Sequence, residues 1–271
     1  MVDYNSISIS GSSGYIARNL ISSGILNNYK LYKCSRSENI GHVKINSYLD
    51  IPSSDILIHL GEDSNISRFN MLGKDDVDNH INLFSKLLNK NKYKKILYFS
   101  SIKLSEYKNL SVNKYDNNEM TNYVYLKLKI EDLVLKKAGT VIRLPNVYGR
   151  ELVNSTFLSD IYKQYVNGDN ISLRSPDACV RLLHIDDLIL FIKKIINSKF
   201  VGIYDFSFGN YYQIKDLSDL FLDFLKFHNK SINKDVIKPK ITISNYNNFN
   251  INIDETFVAK GLNDLARNIN E

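Results

Sequence analysis

The chain has 271 residues, 44% of them hydrophobic and 24% charged, with a formal net charge of +6. That length supports one large core, or a core with a smaller lobe. No run of about 18 apolar residues is present, which excludes a membrane-spanning helix, and two cysteines give no disulfide framework. No signal-peptide apolar segment precedes the first strand-like run, so the expected location is cytoplasmic. The lysine excess reads as solvated side chains in a Lys- and Asn-rich composition. With no zinc-finger, RNA-recognition or arginine-rich pattern, no nucleic-acid partner is expected.

The first element is a short strand at 6–10 (SISIS). It leads into GSSGYIA, residues 11–17, and then into a helical pattern at 17–22. Two glycines three residues apart at a strand-to-helix turn let backbone N–H groups approach a pyrophosphate, and the helix start adds partial positive charge. Gly11 would make the tight turn and Gly14 the close approach, with Ser13, Tyr15 and Ile16 as neighbouring contacts. Ala17 is small enough for the helix to pack on the strand.

Further strands are expected at 30–34, 42–45, 55–60, 95–100, 140–143 and 202–206, and helices at 75–89, 122–137, 154–167, 185–197 and 214–228. Several strands are nearly continuous apolar runs, as in a parallel sheet covered on both faces. The alternating order predicts a Rossmann-like, doubly wound α/β fold with a smaller C-terminal substrate lobe. Residues 1–149 read as mainly the dinucleotide-binding core. Residues 150–271 read as mainly the substrate lobe, with about 179–208 returning to the core. Four prolines and no glycine-rich linker argue against two independent domains. The polar stretch 229–251 reads as a loop-rich part of the lobe.

Tyr123 and Lys127 lie four apart in NYVYLKLKIEDLV, on one face of the predicted helix. A nearby ammonium favours the phenolate and lowers a tyrosine pKa from about 10 towards neutrality; three units correspond to about 4 kcal/mol. Such a tyrosine can exchange a proton with a hydroxyl while hydride moves. The spacing alone does not choose, because Tyr29/Lys33, Tyr125/Lys129 and Tyr211/Lys215 share it. Tyr123 and Tyr125 point about 200° apart on one helix, so only one can face a site.

The segment from Tyr123 through Lys127 and Glu131 into an apolar run resembles the active-site helix of extended short-chain dehydrogenases/reductases, the NAD(P)-dependent enzymes of nucleotide-sugar epimerase, dehydratase and reductase type. That register selects Tyr123 and Lys127. ILYFSSIKLS, residues 96–105, resembles the strand ending in the family's catalytic Ser or Thr, which places that role on Ser101. SSDILIHLG resembles the fourth strand, whose end borders the cofactor at His59, Leu60 and Gly61; the usual Ala-Ala is replaced by Gly61-Glu62. VIRLPNVYGR resembles the strand and turn after the active-site helix, shaped by Pro145 and Gly149, with Asn146 contacting the sugar nucleotide. CVRLLHIDDL resembles the family's Arg-x-x-x-His-Val-Asp-Asp segment with one residue fewer, making Arg181 a candidate for the substrate diphosphate. GIYDFSFGN, residues 202–210, resembles the later strand and glycine turn. Asn79-x-x-Asn82-Leu83 departs from the usual Asn-x-x-Gly-Thr and puts a relay role for Asn79 in doubt.

In this fold the end of the second strand reads the adenosine ribose. Here Cys34 and Ser35 carry no acid and Arg36 follows, which leans towards NADP over NAD. The resemblance implies NADP-dependent reduction of a 4-keto nucleotide sugar. The alternatives are an epimerase with tightly bound NAD and a non-catalytic NAD(P)-binding sensor. Ile102 and Lys103 stand where a dehydratase would carry acids after Ser101. The five histidines show no metal-ligand spacing, and a homodimer is compatible with the resemblance.

Overall fold

The computed structural model describes residues 4–62, 66–107, 121–153, 156–206, 211–229 and 258–270. In chain order the first elements are β1 (Ser6–Ser10), α1 (Tyr15–Ser22), β2 (Lys30–Ser35), β3 (Val43–Lys44), β4 (Ile56–His59), α2 (Ile66–Asn70) and α3 (Lys74–Lys90). Next come β5 (Lys95–Ser101), α4 (Asn122–Lys136), β6 (Thr140–Leu144), β7 (Asn146–Tyr148), α5 (Phe157–Asn167), β8 (Cys179–Val180) and β9 (Leu182–His184). The last are α6 (Ile185–Ile196), β10 (Gly202–Asp205), β11 (Tyr212–Gln213), α7 (Ile214–Asn229) and α8 (Val258–Asn268).

The chain divides into two compact units, residues 1–144 with 193–207, and residues 145–192 with 208–271. The first holds a parallel seven-stranded sheet in the order β10-β6-β5-β4-β1-β2-β3. The order reverses direction at β1, which pairs with β2 on one side and β4 on the other. A crevice therefore opens where the β1 and β4 chain ends diverge, and ligands of such sheets bind there. SISIS has the alternation of a strand with one wet face, yet Ile7 through Ser10 are all buried. The serines survive burial because they are bonded: Ser8 Oγ donates to the Pro52 carbonyl at 2.8 Å, and Ser10 Oγ meets His59 Nδ1 at 2.7 Å. The core of this unit packs α3 and α4 on the sheet through Phe84, Leu87, Leu126, Ile130 and Val134.

Within the second unit β7 pairs with β9 in parallel and β8 with β11 antiparallel. Its core joins α5, α7 and α8 through Leu158, Ile161, Phe221, Leu225 and Leu262. Gly149 has φ +116°, and a Cβ there would collide with His184 Nε2 and lie 2.7 Å from its Cδ2, so the turn requires glycine.

All seven sheet strands coincide with expected strands to within one residue at either end. The differences are local. α1 starts two residues earlier than expected, at Tyr15, and α5 starts at Phe157, capped by Thr156 accepting from the Ser159 N–H at 3.3 Å. β7, β8, β9 and β11 are two or three residues long, too short for a periodic signal, and α2 and α8 were not expected. The stretch 230–251 and the glycine turn at 207–210 lie outside the described residues.

Candidate active site

Gly11 adopts φ +68° at the end of β1, and a Cβ there would sit 2.5 Å from the Leu60 carbonyl and 2.6 Å from Gly61 Cα. Only a hydrogen lets the chain leaving β4 pass this close to the β1–α1 turn. The Gly14 N–H closes the turn on the Gly11 carbonyl at 2.9 Å, and Gly14 then begins α1 without a side-chain cap. The partial positive charge of the first helical turn thus faces the crevice, the geometry of an anion-binding elbow. Tyr15 and Ile16 form that turn, and Ala17 is buried beneath it.

The loop after β2 is tied to this elbow. The Ser12 N–H reaches the Cys34 carbonyl at 3.1 Å, Ser35 Oγ donates to Ser13 Oγ at 3.2 Å, and Ser12 Oγ meets His42 Nδ1 at 2.8 Å. Arg36 is exposed. Beyond it an open pocket of about 290 Å³ is lined by Glu38, Asn39, Ile40, His42 and Lys44, with Lys44 Nζ 2.5 Å from Glu38 Oε1.

Across the turn a buried charged cluster gathers side chains from β4, β5 and α4. Lys127 Nζ lies 2.6 Å from Glu62 Oε2; their side chains are 7% and 3% exposed. Tyr98 OH donates to the same oxygen at 2.7 Å, and Lys127 also donates to the Phe99 carbonyl at 3.2 Å. The ammonium is 5.0 Å from the Tyr98 ring centroid and 5.9 Å from that of Tyr123. Burial opposes charge on Glu62, but the adjacent Lys127 ammonium prevails and holds its carboxyl below the usual range. Burial likewise works against Lys127, and Glu62 first among its neighbours keeps it above the ordinary lysine value. His59 is held neutral by burial. Its Nε2 faces Glu62 Oε1 at 3.7 Å, and neither atom has a hydrogen-bond partner among the described residues. Burial and then Glu62 push the Tyr98 phenol well above its usual value.

Tyr123 is buried on α4, where Thr121 caps the helix and the Tyr123 N–H donates to Asn70 Oδ1 at 3.3 Å. Tyr125 turns away and donates to Asp78 of α3 at 3.1 Å. The two tyrosines divide as their angular separation requires. Ser101 ends β5, half-buried, and accepts from the Lys103 N–H at 3.3 Å; the neighbouring Ser100 hydroxyl is buried without a partner among the described residues. Asn79 is exposed on α3. Asn146 and Arg181 belong to the second unit, where the Asn146 N–H donates to the Arg181 carbonyl at 3.3 Å. The Arg181 guanidinium lies 3.9 Å from the Tyr211 ring centroid, which occupies the tyrosine of another Tyr-x-x-x-Lys pair.

A sequence model of the NAD-dependent epimerase/dehydratase family matches residues 7–204. The chain belongs to that family. No curated protein matches it. Among solved structures, a UDP-N-acetylglucosamine 4-epimerase from Methanobrevibacter ruminantium M1 is 17% identical over 99% of both chains, TM-score 0.69. An NAD-dependent NDP-hexosamine 5,6-dehydratase of tunicamycin biosynthesis, TunA, is 11% identical over 98% of this chain and 97% of its own, TM-score 0.74. RMD from Pseudomonas aeruginosa, complexed with NADPH, is 16% identical over 81% of this chain and 82% of its own, TM-score 0.63. At these identities the likeness is one of fold.

The group to be fitted in this epimerase/dehydratase-family chain is a nicotinamide dinucleotide, and two observations fit it. Gly11 keeps the elbow tight and bare where a Cβ would collide with the Leu60 and Gly61 backbone, and the helix start behind it carries no capping side chain. Sequence reading flagged Glu62 only as a departure from Ala-Ala and did not single out Tyr98. The signal for Glu62 was a carboxylate at the end of an otherwise apolar strand run, where an unpaired charge cannot be buried.

Proposed function

We propose that the protein is a reductase transferring hydride from NADPH to the carbonyl carbon of a 4-keto nucleotide sugar. The observation that carries this reading is the joint burial of Tyr123 and Lys127 on one helix, in a charged cluster that adjoins the glycine elbow through Leu60–Glu62. Gly11, Ser13, Gly14, Tyr15 and Ile16 would hold the pyrophosphate at the helix start. His59, Leu60, Gly61 and Lys127 would contact the rest of the dinucleotide. Once bound, the nicotinamide supplies the hydride. Tyr123 donates its phenolic proton to the carbonyl oxygen as that oxygen becomes a hydroxyl. The Lys127 ammonium stabilises the phenolate left behind. Ser101 donates a hydrogen bond to the same oxygen and orients it. Asn146 would contact the sugar nucleotide, and the planar guanidinium of Arg181 suits its diphosphate.

The NADPH preference rests on the loop after β2. Arg36 is exposed there, His42 and Lys44 line the adjoining pocket, and the loop's carboxylate, Glu38, is engaged by Lys44. A 2′-phosphate suits such surroundings better than a bare ribose diol. Ile102 and Lys103 after Ser101 supply no acid for dehydration.

A second reading is a nucleotide-sugar epimerase that retains NAD and uses the same Ser101, Tyr123 and Lys127. The family match favours it, as does the likeness to a UDP-N-acetylglucosamine 4-epimerase over nearly the whole chain. One experiment separates the two. Purified protein is mixed with NADPH and each of the dTDP-, GDP-, UDP- and CDP-4-keto-6-deoxy sugars, and the 4-keto substrate that drains NADPH absorbance is identified. Consumption with none of them overturns the reductase reading. A copurified NAD that survives dialysis, with interconversion of sugar epimers, puts the epimerase in its place.

A further inference from the structure

The cation beside Tyr123 has a dedicated anion. Glu62 follows β4, its side chain is 3% exposed, and its Oε2 takes both the Lys127 ammonium at 2.6 Å and the Tyr98 hydroxyl at 2.7 Å. The carboxylate is not simply completing a closed network. Its Oε1 and the facing His59 Nε2, 3.7 Å apart, are both left without hydrogen bonds among the described residues. A buried carboxylate is costly unless it is paired, and here the partner in contact is the Lys127 ammonium.

Resting on the reading of Tyr123 and Lys127 as acid and cation, we propose that Glu62 is a positioning residue, the counter-charge that keeps the buried Lys127 protonated and held beside Tyr123. The groups facing Lys127 are few. Glu62 and His59 come from the β4 end, Tyr98 from β5, His80 from α3, and Tyr123 and Glu131 from α4 itself. Two of these are carboxylates, Glu62 and Glu131, and of the two it is Glu62 that touches the Lys127 ammonium. Tyr48, hydrogen-bonded to His80 at 2.9 Å, also feels the Glu62 charge. Removing the Glu62 charge leaves burial largely unopposed, and burial drives a lysine towards its neutral form.

The decisive variants are Glu62→Gln and Glu62→Asp, with binding of NADPH and of NADH followed by nucleotide fluorescence from pH 7 to 9.5. In the wild-type protein the dissociation constant of the bound nucleotide changes by less than about threefold across that range. In Glu62→Gln it rises by about tenfold per pH unit once the unpaired lysine releases its proton. Glu62→Asp restores the flat profile. A Glu62→Gln profile parallel to wild type overturns the role of Glu62, and leaves the site reading intact if Tyr123→Phe still abolishes turnover. Wild-type protein that binds neither nucleotide overturns both.

Thermal unfolding of Glu62→Gln, Lys127→Met and the double variant gives a readout independent of activity. The double variant should melt well above the temperature expected from adding the two single losses, because removing one partner strands a charge whereas removing both does not. Strictly additive losses overturn the pairing.

Discussion

Helix α4 carries two buried ion pairs one turn apart, and they are built differently. Glu131 is gripped bidentately by Arg143, at 3.0 Å from Nε and 2.6 Å from Nη2, and Arg143 reaches on to Asp205 at 3.5 Å. Ser105, just after Ser101, also donates to Asp205. None of the carboxylate oxygens in this triad is orphaned among the described residues. The Lys127–Glu62 pair is incomplete by contrast, with an idle carboxylate oxygen against an idle imidazole nitrogen. A saturated network contributes rigidity, while an unsaturated one keeps capacity for a proton or a ligand hydroxyl. On the proposed reading, the difference separates the pair that holds the helix in place from the pair that serves Tyr123.

The sharpest way to break that comparison is at Tyr123. Tyr123→Phe should lower turnover by about 100- to 10,000-fold while nucleotide affinity and melting temperature stay near wild type, since only the proton carrier is lost. Steady-state rates beside calorimetric binding check this. Next in size is Glu131→Gln, which leaves the Arg143 guanidinium half-paired in the core. A loss of about 3–5 kcal/mol in urea unfolding is expected, with the folded fraction binding nucleotide normally. If Glu131→Gln instead impairs binding at unchanged stability, the division of labour between the pairs is wrong.

Gly11→Ala should follow, at about 1–3 kcal/mol of stability plus weakened nucleotide binding, because the new methyl meets Leu60 and Gly61 at a positive φ. Equilibrium unfolding and NADPH titration measure the two losses separately. The smallest effect concerns the surface. Lys94 and then the Asn5 N–H hold the Asp55 carboxyl down to about 2. Its folded pKa lies below the unfolded value, so its contribution is present above about pH 4 and fades as the pH falls towards 2. In Asp55→Asn the acid limb of the stability profile should be shallower over that window. At neutral pH the variant should be less stable than wild type by this same contribution, and the gap should close as the pH falls towards 2.

Sequence alone reveals much of this. Several of the sheet strands are legible because a doubly covered parallel strand is a nearly continuous apolar run, as in β4 and β5, and α3 and α4 because their apolar faces recur at helical spacing. The glycine elbow is legible locally, as two glycines three apart between a strand and a helix, whereas the Tyr123/Lys127 register is chosen only by the resemblance of its segment, since three other pairs share the spacing. What is not legible is long-range. Nothing near Glu62 in the sequence names Lys127 as its partner, since the contact exists only once α4 lies over the ends of β4 and β5. The serine hydroxyls of β1 also read as solvent-facing until His59 and Pro52 are seen to satisfy them. The two- and three-residue strands of the second unit fall below any periodic signal.

Because Lys127 is tethered to the chain beyond β4 and Glu131 to β6, α4 is pinned at two heights from two different strands. Sliding the helix along its axis would rupture both tethers at once. The placement of the phenol is thereby governed by the reach of two side chains acting as gauge blocks, and the outer surface of the helix is free to drift in sequence without moving it.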